Sequence, residues 1–542
     1  MSYFDDASLV MIPSGYKASK VYSVKPTDGT GDLTFTRSND TATRVGPDGL
    51  IEKVRTNLYT YSQSFADASW LTIDATKVST SATDPNGGNT AANITWTAGS
   101  SRYFYKDIGD TNILTVSFWV KSNGGGNKFR FFGNGTGVFS SDLTATSTWT
   151  RYSFSFSGSG ATAVGIAFAS DSSAANLLIA FAQLETGDIA TDYIATTTAA
   201  VSVGPVANVP RLDYLGSSCP RLLLEPQRTN LVLYSEQTDN AAWVKSNTTI
   251  SANAITSPDG YTNADEVTIS VSGGASLRQS IAVTSSTAYT FSFYVKRGTA
   301  TNLKYNVRDF TNSVDITAIV DYTSQTSTTE WNRIVVSFTT PATCTSIGIY
   351  PHRDSASTGT FYLWGAMLEA GSYATSYIPT LGAAVTRGAD VAEKTGISSL
   401  IGSATGTAFI DIQETNNIGG TTNADILLLS NNSNNALGTY VLFLHASTGN
   451  LRIYFLPENI SVTVKGGDNR GQRLKIAFAY SSGDFVCYVN GAQVYSASRT
   501  LGTGLDRFAL NPSPNSGLEP VNQCLLFPTR LSNSSLAELS SL

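Results

Sequence analysis

The chain is poor in charged residues, and this shortage excludes several classes of function. Asp, Glu, Lys and Arg make up only 14% of its 542 residues, and the formal net charge is −6. The sequence has no basic stripe that would neutralise phosphates, so we expect no nucleic-acid binding. Glu and Lys are the usual residues of exposed helix surfaces, and their scarcity disfavours a helical fold.

Cysteines and long apolar runs are scarce as well. The four cysteines are far apart and show no C-x-x-C spacing: Cys219, Cys344, Cys487 and Cys524. This pattern disfavours a zinc site or a disulfide scaffold and is typical of reduced thiols. No apolar run reaches the length of a membrane span, and the first residues lack the basic and apolar regions of a signal peptide. We therefore expect no membrane insertion and no cleaved leader.

Recognisable catalytic motifs are missing too. The two histidines, His352 and His445, lie outside contexts such as G-x-S-x-G or H-E-x-x-H. The chain has 41 Asp and Glu residues, so the sequence leaves room for a glycosidase pair, which needs only two carboxylates at a defined separation. No positive sign of such a pair is present. We predict that the protein is not an enzyme and has no cofactor.

The residues that are abundant favour an all-β protein. Hydrophobic residues make up 41% of the chain, which is enough for several cores, and Ser, Thr, Asn and Gly are common. Thr and Ser suit the outward faces of strands, and Gly and Asn suit the turns between them. A chain of this length is expected to hold several domains.

A long internal repeat predicts the domain organisation. The stretch "RTNLYTYSQSFADASW", from Arg55 to Trp70, recurs without a gap as "RTNLVLYSEQTDNAAW", from Arg228 to Trp243. The similarity continues in "TVSFWVKS" and "TFSFYVKR" and in the closing segments "LETGDIATDYIAT" and "LEAGSYATSYIPT". Period-two alternation and turn signals such as "TDPNGG" predict short antiparallel strands. We therefore predict two jelly-roll β-sandwich modules, over residues 55–197 and 228–381.

The C-terminal third has a different pattern of strands. Strand-like runs recur after Gly402, and Asn490–Gly491 between two alternating runs is a strong hairpin signal. A short helix is expected to begin near Ser532 or Asn533. We predict a third sandwich over residues 403–542.

The other segments are interpreted as an N-terminal region (1–54), a connector (198–227) and a linker (382–402). The connector carries four leucines, which predict that it packs on a neighbour and is not a free tether: Leu212, Leu222, Leu223 and Leu224.

The repeated motifs "RTNL…YS…W", "SFWVK/SFYVK" and "LE-G-x-x-A-T-x-Y-I" resemble the carbohydrate-binding-module-like jelly rolls of bacteriophage tail and capsid-associated proteins. The segment Phe4–Val54 resembles an N-terminal region of structural proteins from phages that infect Bacteroidetes-type hosts, and Val206–Leu231 and Thr386–Gly402 resemble the joining segments of that family. The "V-N-G-x-x-V" hairpin and the terminal "L-S-x-x-x-L-A-E-L" resemble a concanavalin-like or laminin-G-like sandwich.

The resemblance implies a virion appendage, either a tail fibre, a spike or a head fibre. It implies a homotrimer, assembled in the host cytoplasm and exposed on the particle, whose N-terminal region binds other virion proteins. Host surface glycans are the expected ligands. Sandwiches of this type often carry a structural calcium, for which the turn Arg353–Ser357 is a candidate.

Aromatic side chains are the candidate ligand residues, because their faces stack on pyranose rings. The candidates are Tyr103, Tyr105 and Trp119 in the first module and Tyr294, Tyr305, Tyr350 and Trp364 in the second. Phe104, His352 and Arg353 are further candidates in the same segments. The competing interpretation is that these side chains fill cores. Alternation places Trp119 and Tyr294 opposite Phe118 and Phe293 but does not show which face is exposed.

Two further repeated pairs are assigned structural roles. Trp149 and Trp331 are predicted to serve packing, and Glu185 and Glu369 to satisfy backbone donors where the last strand meets its turn.

Two other functions remain open from the sequence. The sandwiches could be purely architectural capsid or tail decoration without glycan binding, or they could form a polysaccharide depolymerase with an unrecognised carboxylate pair.

Overall fold

The computed structural model describes residues 3–109, 113–134, 137–157, 162–354, 356–402, 404–413, 423–431, 439–445, 447–456, 458–469, 471–499, 504–512 and 520–541. The chain divides into two compact units. One comprises Met1–Lys53, Pro205–Gly260 and Ala264–Leu542, and the other comprises Val54–Gly204 with Tyr261–Asn263.

Strands follow one another along most of the chain, which confirms the all-β class. The N-terminal segment forms α1 (Tyr3–Asp6), β1 (Leu9–Met11), β2 (Tyr16–Lys17), β3 (Lys20–Val21), β4 (Leu33–Thr36), β5 (Thr43–Val45) and β6 (Ile51–Lys53). The first module follows with β7 (Arg55–Asn57), β8 (Leu71–Ile73), β9 (Thr76–Ala82), β10 (Ala91–Trp96), β11 (Tyr103–Asp107), β12 (Ile113–Asn134), β13 (Val138–Phe139), β14 (Leu143–Thr144), β15 (Thr150–Ser157), β16 (Ala163–Ala167), β17 (Ala175–Thr186) and β18 (Val201–Val203).

The connector and the second module continue the series. The connector forms β19 (Arg211–Asp213) and β20 (Arg221–Leu223). The second module forms β21 (Arg228–Asn230), β22 (Val244–Ser246), β23 (Thr248–Thr256), β24 (Thr262–Ile269), β25 (Ser276–Ala282), β26 (Ala288–Arg297), β27 (Lys304–Asp309), β28 (Val314–Asp315), β29 (Val320–Asp321), a 3₁₀ turn (Thr323–Gln325), β30 (Asn332–Thr339), β31 (Ser346–Arg353), β32 (Gly359–Ala370) and β33 (Val385–Arg387).

The C-terminal part completes the chain. It forms β34 (Val391–Thr395), α2 (Ser398–Ile401), β35 (Gly406–Gln413), β36 (Ala424–Ser430), β37 (Thr439–Leu444), β38 (Leu451–Phe455), β39 (Ile460–Lys465), β40 (Arg473–Ser481), β41 (Asp484–Val489), β42 (Ala492–Ala497), β43 (Arg507–Leu510), β44 (Val521–Phe527) and α3 (Asn533–Ser541). None of the helices within the described ranges is long and apolar enough to cross a membrane.

The first module is a two-layer antiparallel sandwich. One layer has the order β9–β10–β17–β12–β15 and the other β8–β11–β16–β12–β13, so the long strand β12 belongs to both. The strand changes layers at Gly124 and Gly125, whose φ angles of 83° and 79° are costly for residues with a Cβ. An aromatic core lies between the layers and includes Trp70, Phe104 and Phe118.

The second module repeats this topology. Its layers have the orders β23–β24–β32–β26–β30 and β22–β25–β31–β27–β28. Here β26 and β27 are separate strands that correspond to the two halves of β12. Paired entry and exit strands close each module, β7 with β18 in the first and β21 with β33 in the second.

The repeated residues perform the same tasks in both copies. Asn57 and Asn230 are fully buried, and each side-chain amide donates to two carbonyl oxygens. Each amide oxygen accepts two backbone N–H groups. Glu185 accepts the N–H of Thr191 at 2.9 Å, and Glu369 accepts that of Thr375 at 2.8 Å, as predicted. The repeat therefore preserves the buried polar groups that fix the loops to the sandwich.

A third sandwich, called the base sandwich below, is built from two sheets. One has the order β19–β20–β44–β35–β40–β41–β42, with β1 also paired to β44, and the other β2–β3–β4–β34–β43–β36–β37–β38–β39. The Asn490–Gly491 turn joins β41 to β42 as predicted, with both residues at positive φ. Ser532 caps α3 by accepting the N–H of Ser535 at 3.1 Å, so the helix prediction is also confirmed.

The base sandwich is larger than the predicted domain 403–542. Residues 1–54, the connector 198–227 and the linker 382–402, which the sequence divides off as separate segments, supply β1 to β4, β19, β20 and β34 to its sheets. The physical reason is that these strands carry core residues, among them Leu9, Phe35 and Leu222, each 0% exposed. All four connector leucines are buried, as predicted.

Candidate functional site

One outer face of the first module carries partly exposed aromatic side chains. Residues alternate along β11, so Phe104 enters the core while Tyr103 and Tyr105 lie on the opposite face, both half-buried. The adjacent strand β16 presents Ala163, Gly165 and Ala167 on that face, because its alternate residues Val164 and Ile166 belong to the core. These small side chains leave room for rings from the neighbouring strands.

The rings form a continuous cluster, which we call the aromatic platform: Tyr103, Tyr105, Phe132, Phe139 and Phe168. The centroid of Phe132 lies 4.8 Å from that of Tyr103 and 6.1 Å from that of Tyr105. Four of the five side chains are half-buried, so part of each reaches solvent. Such a surface buries one side of each ring in the fold and leaves the rest for a ligand.

A guanidinium group lies on the same face. The Cζ of Arg130 is 4.4 Å from the Phe139 centroid and 5.0 Å from the Phe168 centroid. Its Nε donates to the carbonyl of Phe168 at 3.0 Å. Lys128 and Asp171 form an ion pair of 2.7 Å on the neighbouring surface. The platform therefore combines ring surfaces with hydrogen-bonding groups.

The equivalent face of the second module has different chemistry. Its strands present Arg278, Arg308 and Arg353, and Asp315 pairs with the last two at 3.0 and 2.8 Å. Arg278 lies over the ring of Phe310 and Arg353 over the ring of Tyr350. This face therefore presents three guanidinium groups beside its rings.

Two candidate residues of the second module are not available to a ligand. Trp364 is wrong as a ligand residue because its side chain is 0% exposed, between Tyr294 and Tyr377. Tyr350 is only 7% exposed beneath Arg353. Tyr305 is half-buried against the core and stacks on Tyr322 at 5.9 Å, and its role as a ligand residue stays a prediction.

His352 is buried too, and burial lowers the pKa of its imidazole to about 4.

Trp119 and Tyr294 occupy equivalent positions on the other layer of their modules. Both are half-buried, while Phe118 and Phe293 are 0% exposed, so the predicted opposition is confirmed. Trp119 packs in a cluster with Trp149, Phe181 and Tyr193. Tyr294 lines a cavity together with Trp331. The indoles of Trp149 and Trp331 donate to the carbonyls of residues 83 and 256, which agrees with a packing role.

Sequence reasoning found Tyr103 and Tyr105 but missed the rest of the platform. The signal was present in "KFRFFGN", where Arg130 and Phe132 alternate with the core residues Phe129 and Phe131. It was missed because adjacent aromatic residues look like a core strand.

Acidic, histidine and cysteine side chains are the candidate metal ligands. In the described part of the chain, no group of three or more of these could hold a metal ion. In the candidate calcium turn, Asp354 accepts the N–H of Gly274 at 3.0 Å, and residue 355 lies outside the described residues. The structural calcium stays a prediction.

No protein-family model and no curated protein matches the chain. Domain 4 of AbnA, an extracellular arabinanase from Geobacillus stearothermophilus, in complex with arabinotriose, is 15% identical over 28% of this chain and 73% of its own, with a TM-score of 0.24. The CBM40 of a Ruminococcus gnavus IT-sialidase, bound to α2,3-sialyllactose, is 11% identical over 27% and 86%, with a TM-score of 0.22. A pentraxin from Limulus polyphemus is 11% identical over 26% and 70%, with a TM-score of 0.21. Scores this low show no function for this chain.

Proposed function

We propose that the protein is a non-catalytic, glycan-binding structural component of a phage virion. The observation that carries glycan binding is the aromatic platform of the first module. The virion context rests on the sequence motifs alone.

The platform suits a sugar because it offers flat apolar rings with polar groups at their edge. A pyranose has apolar C–H faces and a rim of hydroxyls. Tyr103 and Tyr105 supply ring faces and phenolic hydroxyls, and Arg130 supplies N–H donors. Apolar walls with a few placed polar groups are the general pattern of small-ligand sites.

Single contacts of this kind are weak, and adhesion requires several of them at once. Binding through several copies of one module raises the effective concentration of each further contact. A trimeric appendage, which the resemblance implies, would present three platforms to one surface. Such a protein needs no catalyst, because retention at the surface is its function.

In this proposal, the N-terminal segment contributes both to the base sandwich and to attachment to other virion proteins. Its strands β2 to β4 complete a sheet of the base sandwich. Attachment to other virion proteins would therefore use the outer surface of the base sandwich and not a free N-terminal arm.

A glycan array with Tyr105→Ala tests the platform. We expect the intact chain to bind a subset of glycans and the variant to lose roughly tenfold in affinity, about 1.4 kcal/mol, because half of the ring contact is removed. Tyr103→Ala should weaken the same glycans.

Tyr22→Ala is the matched control, since Tyr22 is 39% exposed on a different part of the chain. It should bind as the intact protein does. Unchanged binding by both platform variants, with normal melting, would contradict the assignment of the site. Silence of the intact chain on every glycan would favour the architectural alternative.

Electron microscopy tests the virion context. Antibodies against the protein should label appendages on purified phage particles by immunogold staining. Label confined to host lysate and absent from particles would contradict the virion assignment, while leaving glycan binding intact.

A further inference from the structure

A cavity of about 480 Å³ lies in the larger unit, beside the second module. Its walls come from the module's sheet and from three separate segments: β5 and β6, the connector, and the loop after β32. This volume is within the usual range of small-molecule sites. The face lined by Tyr294 is therefore concave.

The cavity has an aromatic side. Tyr294, Trp331 and Tyr373 all line it. The Trp331 indole N–H is already used, since it donates to the carbonyl of residue 256 at 3.0 Å. What Trp331 offers a ligand is therefore ring surface, which suits the apolar face of a sugar.

The cavity also has a cationic side formed by three arginines. Arg44 is neutralised by Glu52 at 2.6 Å. Within the described residues, Arg221 and Arg333 form no ion pair. The Nη2 of Arg221 donates to the carbonyl of Leu215, and the Nη1 and Nη2 of Arg333 donate to the carbonyl of Thr375 at 2.7 Å and the Oγ of Ser292 at 2.9 Å. A guanidinium has five N–H groups, so the terminal nitrogens of each side chain keep further donors for a ligand carboxylate.

The carboxylates of the lining are occupied. Glu225 pairs with Arg211 and Arg387 at 2.7 and 3.0 Å. Asp213 is 4% exposed and accepts the backbone N–H groups of residues 45 and 215 at 2.8 and 3.1 Å. Among the described residues, neither carboxylate forms an ion pair with Arg221 or Arg333.

We propose that this cavity binds an acidic sugar residue, with its carboxylate at Arg221 and Arg333 and its ring against Tyr294 and Trp331. The proposal rests on the proposed glycan-binding function and adds a second site with a defined ligand class. Arginine suits a carboxylate because its fork of donors can bind both oxygens. The cavity would bind acidic glycans in preference to neutral ones, whereas the platform would not distinguish between them.

Calorimetry with the full chain tests the proposal. The probes are trigalacturonate, trimannuronate and a sialylated trisaccharide, each beside its methyl ester, which removes the charge and keeps the ring. We expect at least one acid to bind, and its ester to bind roughly tenfold more weakly, as for the loss of a charged hydrogen bond. Equal affinity of acid and ester, or no binding by any acid, would overturn the proposal.

Variants locate the site. Arg221→Gln should weaken the acid roughly tenfold. Among the described residues, the Arg221 side chain donates a hydrogen bond to the carbonyl of Leu215 alone, so we expect the variant to fold normally. Ala374→Trp, which fills the cavity, should abolish binding. Arg308→Gln on the exposed face of the second module is the matched control and should bind normally.

The outcomes separate the two proposals. An unchanged affinity in Arg221→Gln, or an equal loss in Arg308→Gln, would overturn the cavity site. Persistent binding of neutral glycans that is lost in Tyr105→Ala would still support the platform in that case.

Discussion

Asp390→Asn is expected to lower the free energy of unfolding of the larger unit by roughly 3–5 kcal/mol, which is the usual effect of breaking a buried ion pair. Asp390 is 0% exposed and pairs with two arginines that are themselves 0–1% exposed, Arg37 and Arg211. The substitution keeps the side chain's size and removes its charge. Thermal and denaturant melting of the variant would measure the effect.

The loss is large because the charges form one network. Arg211 bridges Asp390 and Glu225, and Glu225 also pairs with the buried Arg387. Burial alone would raise the pKa of Glu225, but Arg387 and Arg211 together lower it well below its ordinary value. Without Asp390, three buried guanidinium groups would share a single carboxylate.

The network also joins segments that are distant in sequence. Arg37 comes from the N-terminal segment, Arg211 and Glu225 from the connector, and Arg387 and Asp390 from the linker. Ser376 of the second module donates its N–H to Glu225 at 2.7 Å. The chain passes between the base sandwich and the second module at this point. The ion pairs therefore hold together the segments that connect the two.

Asp484→Asn is the matched control for Asp390→Asn. Asp484 pairs with Arg530 at 2.9 Å, but its side chain is 42% exposed. An exposed pair contributes about 0–1 kcal/mol, so this variant should melt almost normally. Equal melting of the two variants would show that the buried network does not stabilise the fold.

The modules could be predicted from the sequence because their signals are local. Period-two alternation and turn residues identify strands, and the repeated Trp70 and Trp243 align the two copies. The limits of the base sandwich could not be predicted from such local signals. Its strands β1 and β4 pair with β44 and β34, hundreds of residues later, and no local pattern records such a partner.

The candidate ligand residues show the same limit. Alternation correctly placed Trp119 opposite Phe118, since that relation depends on the strand alone. Whether the other face is covered depends on which segment packs there. Trp364 is buried for this reason, in a cluster that includes Ile51 of the N-terminal segment.

Trp243→Ala should destabilise the second module by roughly 3–5 kcal/mol, because the indole is 1% exposed in its core. Its N–H also donates to the carbonyl of Tyr234 at 3.0 Å, so the variant leaves an acceptor unpaired. Trp70 makes the same bond to Tyr61 at 3.0 Å, and Trp70→Ala should affect the first module equally.

Trp331→Ala is the matched control, since this indole is half-buried on the outer layer of the same module. Its loss should lower stability by less than that of Trp243. Separate melting transitions, followed by differential scanning calorimetry, would assign each effect to its module. Normal melting of Trp243→Ala combined with lost glycan binding would mean that the indole contacts ligand. Trp243 would then not be the core equivalent of Trp70, and the proposed match between the cores of the two modules would be wrong.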